Sequence, residues 1–149
     1  TMTVYLTGYS CWDNSPPGSA AIAKPVIHLQ AGGVGTYNDP ITLAVGNSYA
    51  GGRHTMVFPA GTLFYLPKIK RYAIVEDLCG DGSAPQNGPC YTGKNGRPWI
   101  DIYVGGKSVS PQFADRCMYA LTGMQQAIMN PKPGYQVISG ALADTGCRF

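Results

Sequence analysis

The stretch Pro98-Trp99-Ile100-Asp101-Ile102-Tyr103-Val104-Gly105-Gly106 alternates with a period of two, and that period decides how the chain is built. A strand sends successive side chains to opposite faces, so Ile100, Ile102 and Val104 are expected in a core while Trp99, Asp101 and Tyr103 share the other face. The second face holds one carboxylate between two aromatic rings. An aromatic ring packs on the apolar side of a pyranose, and a carboxyl handles the proton of a glycosidic bond. The face therefore suits a sugar-polymer cleft, although a half-exposed strand carrying a solvated Asp fits the segment equally well.

At 149 residues the chain is long enough for one core and is read as a single domain over residues 1–149. Charged residues make up 13%, while 20 Gly, 12 Pro and 10 Tyr point to a turn-rich, mainly β protein rather than a helical one. No apolar run approaches the roughly 18 residues of a membrane span. No signal peptide heads the chain, which starts in the strand-like segment Thr1–Thr7, so a mature, processed form is expected.

Five cysteines, Cys11, Cys79, Cys90, Cys117 and Cys147, lie far apart without the Cys-x-x-Cys pairs of zinc or redox sites. Disulfides formed in an oxidising, extracellular compartment are their expected use, with one thiol left free. Cys79 and Cys90 bracket the loop Gly80–Pro89, and pairing them would clamp it. His28 and His54 are too isolated to make a metal site with these cysteines; each is expected in a satisfied polar or surface role, and no metal or cofactor is expected. The net charge of +3 suits an anionic polymer. Lys68, Lys70 and Arg71 form the one basic cluster, too short to predict nucleic-acid binding.

Along the chain, Met2–Thr7 reads as a strand ended by Gly8 and the polar turn Cys11–Gly18. Asp13 stands at that exit, either as a catalytic side chain on a loop or as a turn cap. An apolar strand is expected around Val26-Ile27, then the glycine-rich loop Gly32–Pro40, which lacks the helix and lysine of a phosphate loop and predicts close backbone approach. Asp39 precedes the strand Ile41–Val45, as a reserve carboxylate or an Asx turn before Pro40. Met56–Pro67 is a turn feeding a strand. Arg71–Asp77 alternates so that one of Glu76 and Asp77 faces inward, as a catalytic support or as an acceptor for backbone N–H groups. Ser110 caps a short helix begun by Pro111, Tyr135–Ile138 reads as a final strand, and Cys147 is placed to tie the tail down.

The order of a Pro59-Ala60-Gly61-Thr62 turn, the strand Tyr72-Ala73-Ile74-Val75-Glu76-Asp77 and the strand Ile100-Asp101-Ile102-Tyr103 resembles the double-psi β-barrel group. Within it, the pattern over Ile41–Tyr103 is similar to the bacterial wall domains named for three aspartates and to the related lytic transglycosylases. Tyr9-Ser10-Cys11-Trp12-Asp13 is similar to the first strand exit of family 45 endoglucanases, whose second acid lies on an apolar-Asp-apolar strand before glycines, as Asp101 does here. Expansins and barwin-like proteins share that barrel. Across its length the chain resembles the catalytic core of secreted fungal muramidases, glycoside hydrolase family 184. The first aspartate of the bacterial pattern is replaced by Gly46-Asn47, and the endoglucanases' cysteine framework is absent.

The resemblance implies a six-stranded double-psi β-barrel with one or two short helices and long loops, secreted and monomeric, acting on peptidoglycan or another β-1,4-linked wall polysaccharide. It is compatible with a longer precursor carrying a wall-binding module. It implies a muramidase in which Asp101 is the general acid, Asp13 the leading base and Asp39 the reserve, with Glu76 or Asp77 supporting Asp101. Trp12, Tyr9, Trp99, Tyr103 and Tyr37 are the expected sugar-contacting aromatics. A lytic transglycosylase would need one acid alone. A non-catalytic expansin-like wall-binding module and a cellulose-directed endoglucanase remain open alternatives.

Overall fold

The alternation at residues 100–104 becomes strand β6 (Trp99–Tyr103), in which Ile100 and Ile102 are fully buried. The computed structural model describes residues 1–14, 16–80 and 82–149; Ser15 of the expected polar turn and Asp81 of the expected disulfide loop lie outside them. Five further strands complete a barrel with β6: β1 (Met2–Tyr9), β2 (Ile41–Ser48), β4 (Leu63–Leu66), β5 (Arg71–Cys79) and β7 (Gly123–Met129), while β3 (Thr55–Met56) is a short flap on β2. Neighbours run β2-β5-β4-β7-β1-β6 and return to β2, so no barrel edge is left open.

The pairs β1/β6 and β2/β5 are parallel and the other four are antiparallel. Exchanging β1 with β5, β2 with β6 and β4 with β7 reproduces every neighbour and every direction. This is the two-fold pseudosymmetry of a double-psi barrel. The interior is filled by inward residues of all six strands, among them Val4, Leu6, Leu43, Val45, Phe64, Leu66, Val75, Ile100, Ile102 and Ala127. Each large aliphatic side chain contributes on the order of 1.5–3 kcal/mol by leaving water.

Helix α1 (Pro89–Thr92) is a single turn, and α2 (Pro111–Leu121) begins as expected, with the Ser110 hydroxyl accepting from the Phe113 N–H. The buried stripe Ala114, Cys117 and Leu121 seats α2 against the barrel. Cys117 bonds to Cys147 and so fixes the tail, Cys79 bonds to Cys90, and Cys11 is the buried free thiol. Gly46 on β2 has to be a glycine, because a Cβ there would strike the Cys90 backbone; the clamped loop lies directly on the barrel. Arg71 is also interior, its guanidinium donating to the carbonyls of Ile69, Gly140 and Arg148. The basic cluster therefore loses its third member to the core.

Two expected strands are absent. Around Val26-Ile27 the amides turn to the Glu76 carboxylate instead of a ladder, leaving a single bridge between Ala21 and Gln30. At Tyr135–Ile138 the backbone is held by tyrosine hydroxyls and by one bond from the Ile138 N–H to Lys70. Strand β7 closes the barrel without an apolar alternation to announce it, since its buried positions are Gln125 and Ala127.

Candidate active site

Four adjacent strands set one row of residues across the barrel: Thr7 on β1 is opposite Asp101 on β6, Asp101 opposite Ala44 on β2, and Ala44 opposite Asp77 on β5. The pseudosymmetry exchanges Asp101 with Ala44 and Thr7 with Asp77. The small Ala44 leaves space between two acids, and a cleft of about 260 Å³ opens there, lined by Asp101, Asp77, Asp13, Tyr9 and the Leu78-Cys79-Gly80 turn among others.

Asp101 is held by a two-step chain. The Trp99 indole N–H donates to Thr7 Oγ1 at 2.8 Å, and the Thr7 hydroxyl donates to Asp101 Oδ1 at 2.8 Å. Because the Thr7 oxygen already accepts from Trp99, its own hydrogen points at Oδ1, and a proton on Asp101 belongs on Oδ2. That oxygen lies 3.9 Å from the Cys79 disulfide sulfur. Loss of water raises the Asp101 pKa to about 7 against the pull of the Thr7 bond, and the Asp13 and Asp77 charges add to the rise. Asp101 is thus held toward its protonated form far more strongly than an ordinary carboxyl.

Asp77 is buried and fully engaged. Its Oδ2 accepts from the Tyr9 hydroxyl at 2.8 Å, and its Oδ1 accepts from the N–H groups of Ala23 (3.0 Å) and Leu78 (2.9 Å). Asp13 is exposed at the end of a 3-10 turn, where its Oδ2 closes a capping box by accepting from the Ser10 N–H at 2.8 Å. Asp13 is thus a turn cap whose carboxylate also lines the cleft.

Glu76 and Asp39 form a different centre. The β2/β5 register skips Glu76, pairing Leu43 with Val75 and Ala44 with Asp77; this bulge buries both successive acids where simple alternation would bury one. Glu76, fully buried, accepts from Thr42 Oγ1 and from the amides of Val26, Ile27 and His28. His28 bridges it to Asp39, with contacts of 2.5 Å to Glu76 and 2.6 Å to Asp39. Asp39, the reserve carboxylate of the sequence reading, is therefore placed in the His28–Glu76 cluster and not in the lining of the Asp101 cleft.

The aromatic expectations divide likewise. Tyr103 is 4% exposed and meets Tyr9 edge-on at 5.4 Å, leaving no face for a sugar. Tyr9 reaches the cleft by its hydroxyl edge. The Trp12 indole N–H donates to the Gly106 carbonyl at 3.0 Å, and Trp99 packs on Tyr5 at 4.6 Å. Tyr37 lies against Tyr72 instead of the cleft. Thr7, which contacts Asp101 directly, carries no sequence signal beyond its place on an alternating strand.

A family model described as the DDB_G0273701 N-terminal domain matches residues 1–148. The chain belongs to this family. It is similar to a Dictyostelium discoideum protein described as uncharacterized protein DDB_G0273701/DDB_G0273221, with 33% identity over 137 residues, covering 91% of this chain and 54% of that protein. The chain thus spans about half the length of the relative. No solved structure matches it.

In this chain, replacing Thr7 by valine keeps the shape and removes the bond that favours ionised Asp101. The Asp101 pKa is expected to climb further, by roughly one to two pH units, because a hydrogen bond to a charged group is worth about 1.5–3 kcal/mol. Carboxyl carbon NMR titration reads this directly, and an unmoved Asp101 titration would remove Thr7 from its role.

Proposed function

We propose that the cleft cleaves a glycosidic bond of peptidoglycan, the β-1,4 bond between N-acetylmuramic acid and N-acetylglucosamine, with Asp101 as general acid. The reading rests on one observation above the rest: a carboxyl in a polar cleft, oriented by Thr7, with its pKa raised to about 7. A general acid is most effective when its pKa lies near the working pH. Protonated Oδ2 delivers its proton to the leaving glycosidic oxygen while positive charge develops on the sugar ring. In hydrolysis Asp13 then takes a proton from the attacking water. The two disulfides fit a protein secreted into an oxidising wall environment.

The Asp13 cap favours a second route over the same acid. One of its oxygens is already engaged with Ser10, which weakens it as a base. Attack by the muramyl 6-hydroxyl, as in lytic transglycosylation, replaces water, and its proton returns to Asp101, left as a carboxylate by the first step, so no second carboxylate is needed. Incubation with purified bacterial wall and with soluble cellulose, followed by product mass, separates the readings. Reducing muramyl ends, with Asp13→Asn lowering the rate by about 10², support hydrolysis. Anhydro-muramyl ends, with Asp13→Asn near native rate, support the intramolecular route. Cleavage of cellulose alone would make the protein a glucanase, and intact polymers throughout would leave a binding module.

A further inference from the structure

Tyr37 belongs to a second aromatic cluster with Tyr65, Tyr72 and Tyr135. Tyr72 precedes Asp77 by five residues on β5, roughly 16 Å of strand from the cleft. Tyr65 and Tyr72 are cross-strand partners with 4% and 1% exposure. Tyr135 stacks on Tyr65 at 4.6 Å with the planes 15° apart, and Tyr37 meets Tyr72 edge-on at 5.5 Å. The inner hydroxyls fasten the covering loop. Tyr65 donates to the Gln136 carbonyl at 2.5 Å, and Tyr72 donates to the Lys132 carbonyl at 2.7 Å while accepting from the Tyr135 N–H at 3.1 Å.

One face of the Tyr135 ring is therefore taken by Tyr65, and the residue remains 45% exposed; Tyr37, which packs on the same Tyr72, is 39% exposed. Tyr135 also lines a surface hollow of about 300 Å³ with Lys132, Pro133 and Gly134. We propose that this platform is a second glycan-binding site for a pyranose oligosaccharide, distinct from the Asp101 cleft and independent of its chemistry.

Shape, polarity and area point to the same ligand. A pyranose presents an apolar C–H face rimmed by hydroxyls; the platform presents the flat Tyr135 ring at the edge of a hollow lined by Lys132, Pro133 and Gly134. The ring is immobilised before any ligand arrives, so stacking on it costs little ordering entropy. A protein partner or second copy is a poor fit, because two partly exposed tyrosines offer roughly 200 Å² where a stable interface takes about 800 Å² from each side.

Titration of the labelled protein with chitotetraose and with cellotetraose tests the site by amide NMR. Saturable shifts are expected at Gly134, Tyr135 and Tyr37, because stacking reads the ring face shared by both sugars. They should persist in Asp101→Asn, hold in Tyr135→Phe, and weaken about tenfold in Tyr135→Ala, the loss typical of an aromatic anchor. Tyr37→Ala, at the other edge, should weaken them without disturbing the core should Tyr135→Ala fold poorly. No saturable shift with either sugar, or native affinity in both alanine variants, would overturn the proposal. Shifts confined to the cleft residues would overturn it too, while leaving the Asp101 reading intact.

Discussion

Asp101→Asn is expected to lower wall cleavage by about 10³-fold, within the 10²–10⁴ that a positioned general acid contributes. Asparagine accepts the Thr7 bond in the same shape but has no proton to deliver to the leaving oxygen. The native rate should also fall as pH rises through about 7, the value to which burial pushes Asp101, because the acid must enter the reaction protonated. The expected stability effect has the opposite sign. A carboxyl whose folded pKa lies above its unfolded value stabilises while protonated, and that contribution is lost as pH rises through the folded pKa. The rise from 3.8 to about 7 therefore makes Asp101 a destabilising group above neutrality, by at most about 4 kcal/mol at 1.36 kcal/mol per pH unit. The neutral amide of Asp101→Asn removes that burden, so the variant should melt above the native protein most strongly at pH 8, less so at pH 5, and match it only below about pH 3.8, where folded and unfolded carboxyls are both protonated. Equal cleavage by native and variant would take Asp101 out of the reaction. A native melting advantage at pH 8 would show that its carboxylate is better satisfied than its surroundings imply.

A loss of activity paired with a gain in stability is what a reactive group held in a costly environment produces. The environment is made by pairings distant in sequence. Thr7 and Asp101 are 94 residues apart, and parallel pairing of β1 with β6 is what joins them. The period of two places Asp101 on the face away from Ile100 and Ile102, so its facing is legible from local sequence. Thr7 is not, because a threonine on a strand looks the same whether its hydroxyl meets water or a carboxylate.

The same limit explains the misread elements. Val26-Ile27 has strand composition, but its amides face a carboxylate 49–50 residues away, an acceptor local propensity does not see. Tyr135–Ile138 is held at its start by the Tyr72 hydroxyl, which satisfies the Tyr135 N–H that a strand would have paired. β7 is obscured for the converse reason. Buried Gln125 bonds the Leu121 carbonyl through its side chain, so an inward position carries a polar residue. Where apolar residues decide facing, as in the first half of β1 and in β6, the strands are readable; on β5 the facing of Glu76 and Asp77 is not, because the bulge overrides the alternation. Where side-chain polar groups replace ladder partners, the strands are not readable.

Glu76→Gln is expected to destabilise the fold by about 3–5 kcal/mol, the range for breaking a buried ion pair by removing one partner. The carboxylate is surrounded by Thr42, three loop amides and His28, and an amide cannot accept from all of them. For a chain of 149 residues this is a fall in melting temperature of roughly 10 °C. Burial opposes ionisation at both partners and is outweighed at each. Bonds from Thr42 and His28 hold Glu76 below its ordinary 4.5, and bonds to Asp39 and Glu76 hold His28 above its ordinary 6.5. The Glu76 contribution is present above pH 4.5 and is lost as pH falls through its lowered pKa. The His28 contribution is present below pH 6.5 and is lost as pH rises through its raised pKa. The gap between native and variant melting temperatures should therefore be widest between pH 4.5 and 6.5 and narrow on both sides. A gap constant from pH 4 to 9 would mean that neutral hydrogen bonds, not charge, carry the cluster. The loop that Glu76 fastens also supplies the Ala23 N–H to Asp77. Its release should loosen a wall of the cleft, so wall cleavage in the variant should decline at temperatures below its melting point, while Asp101→Asn shows no such temperature dependence.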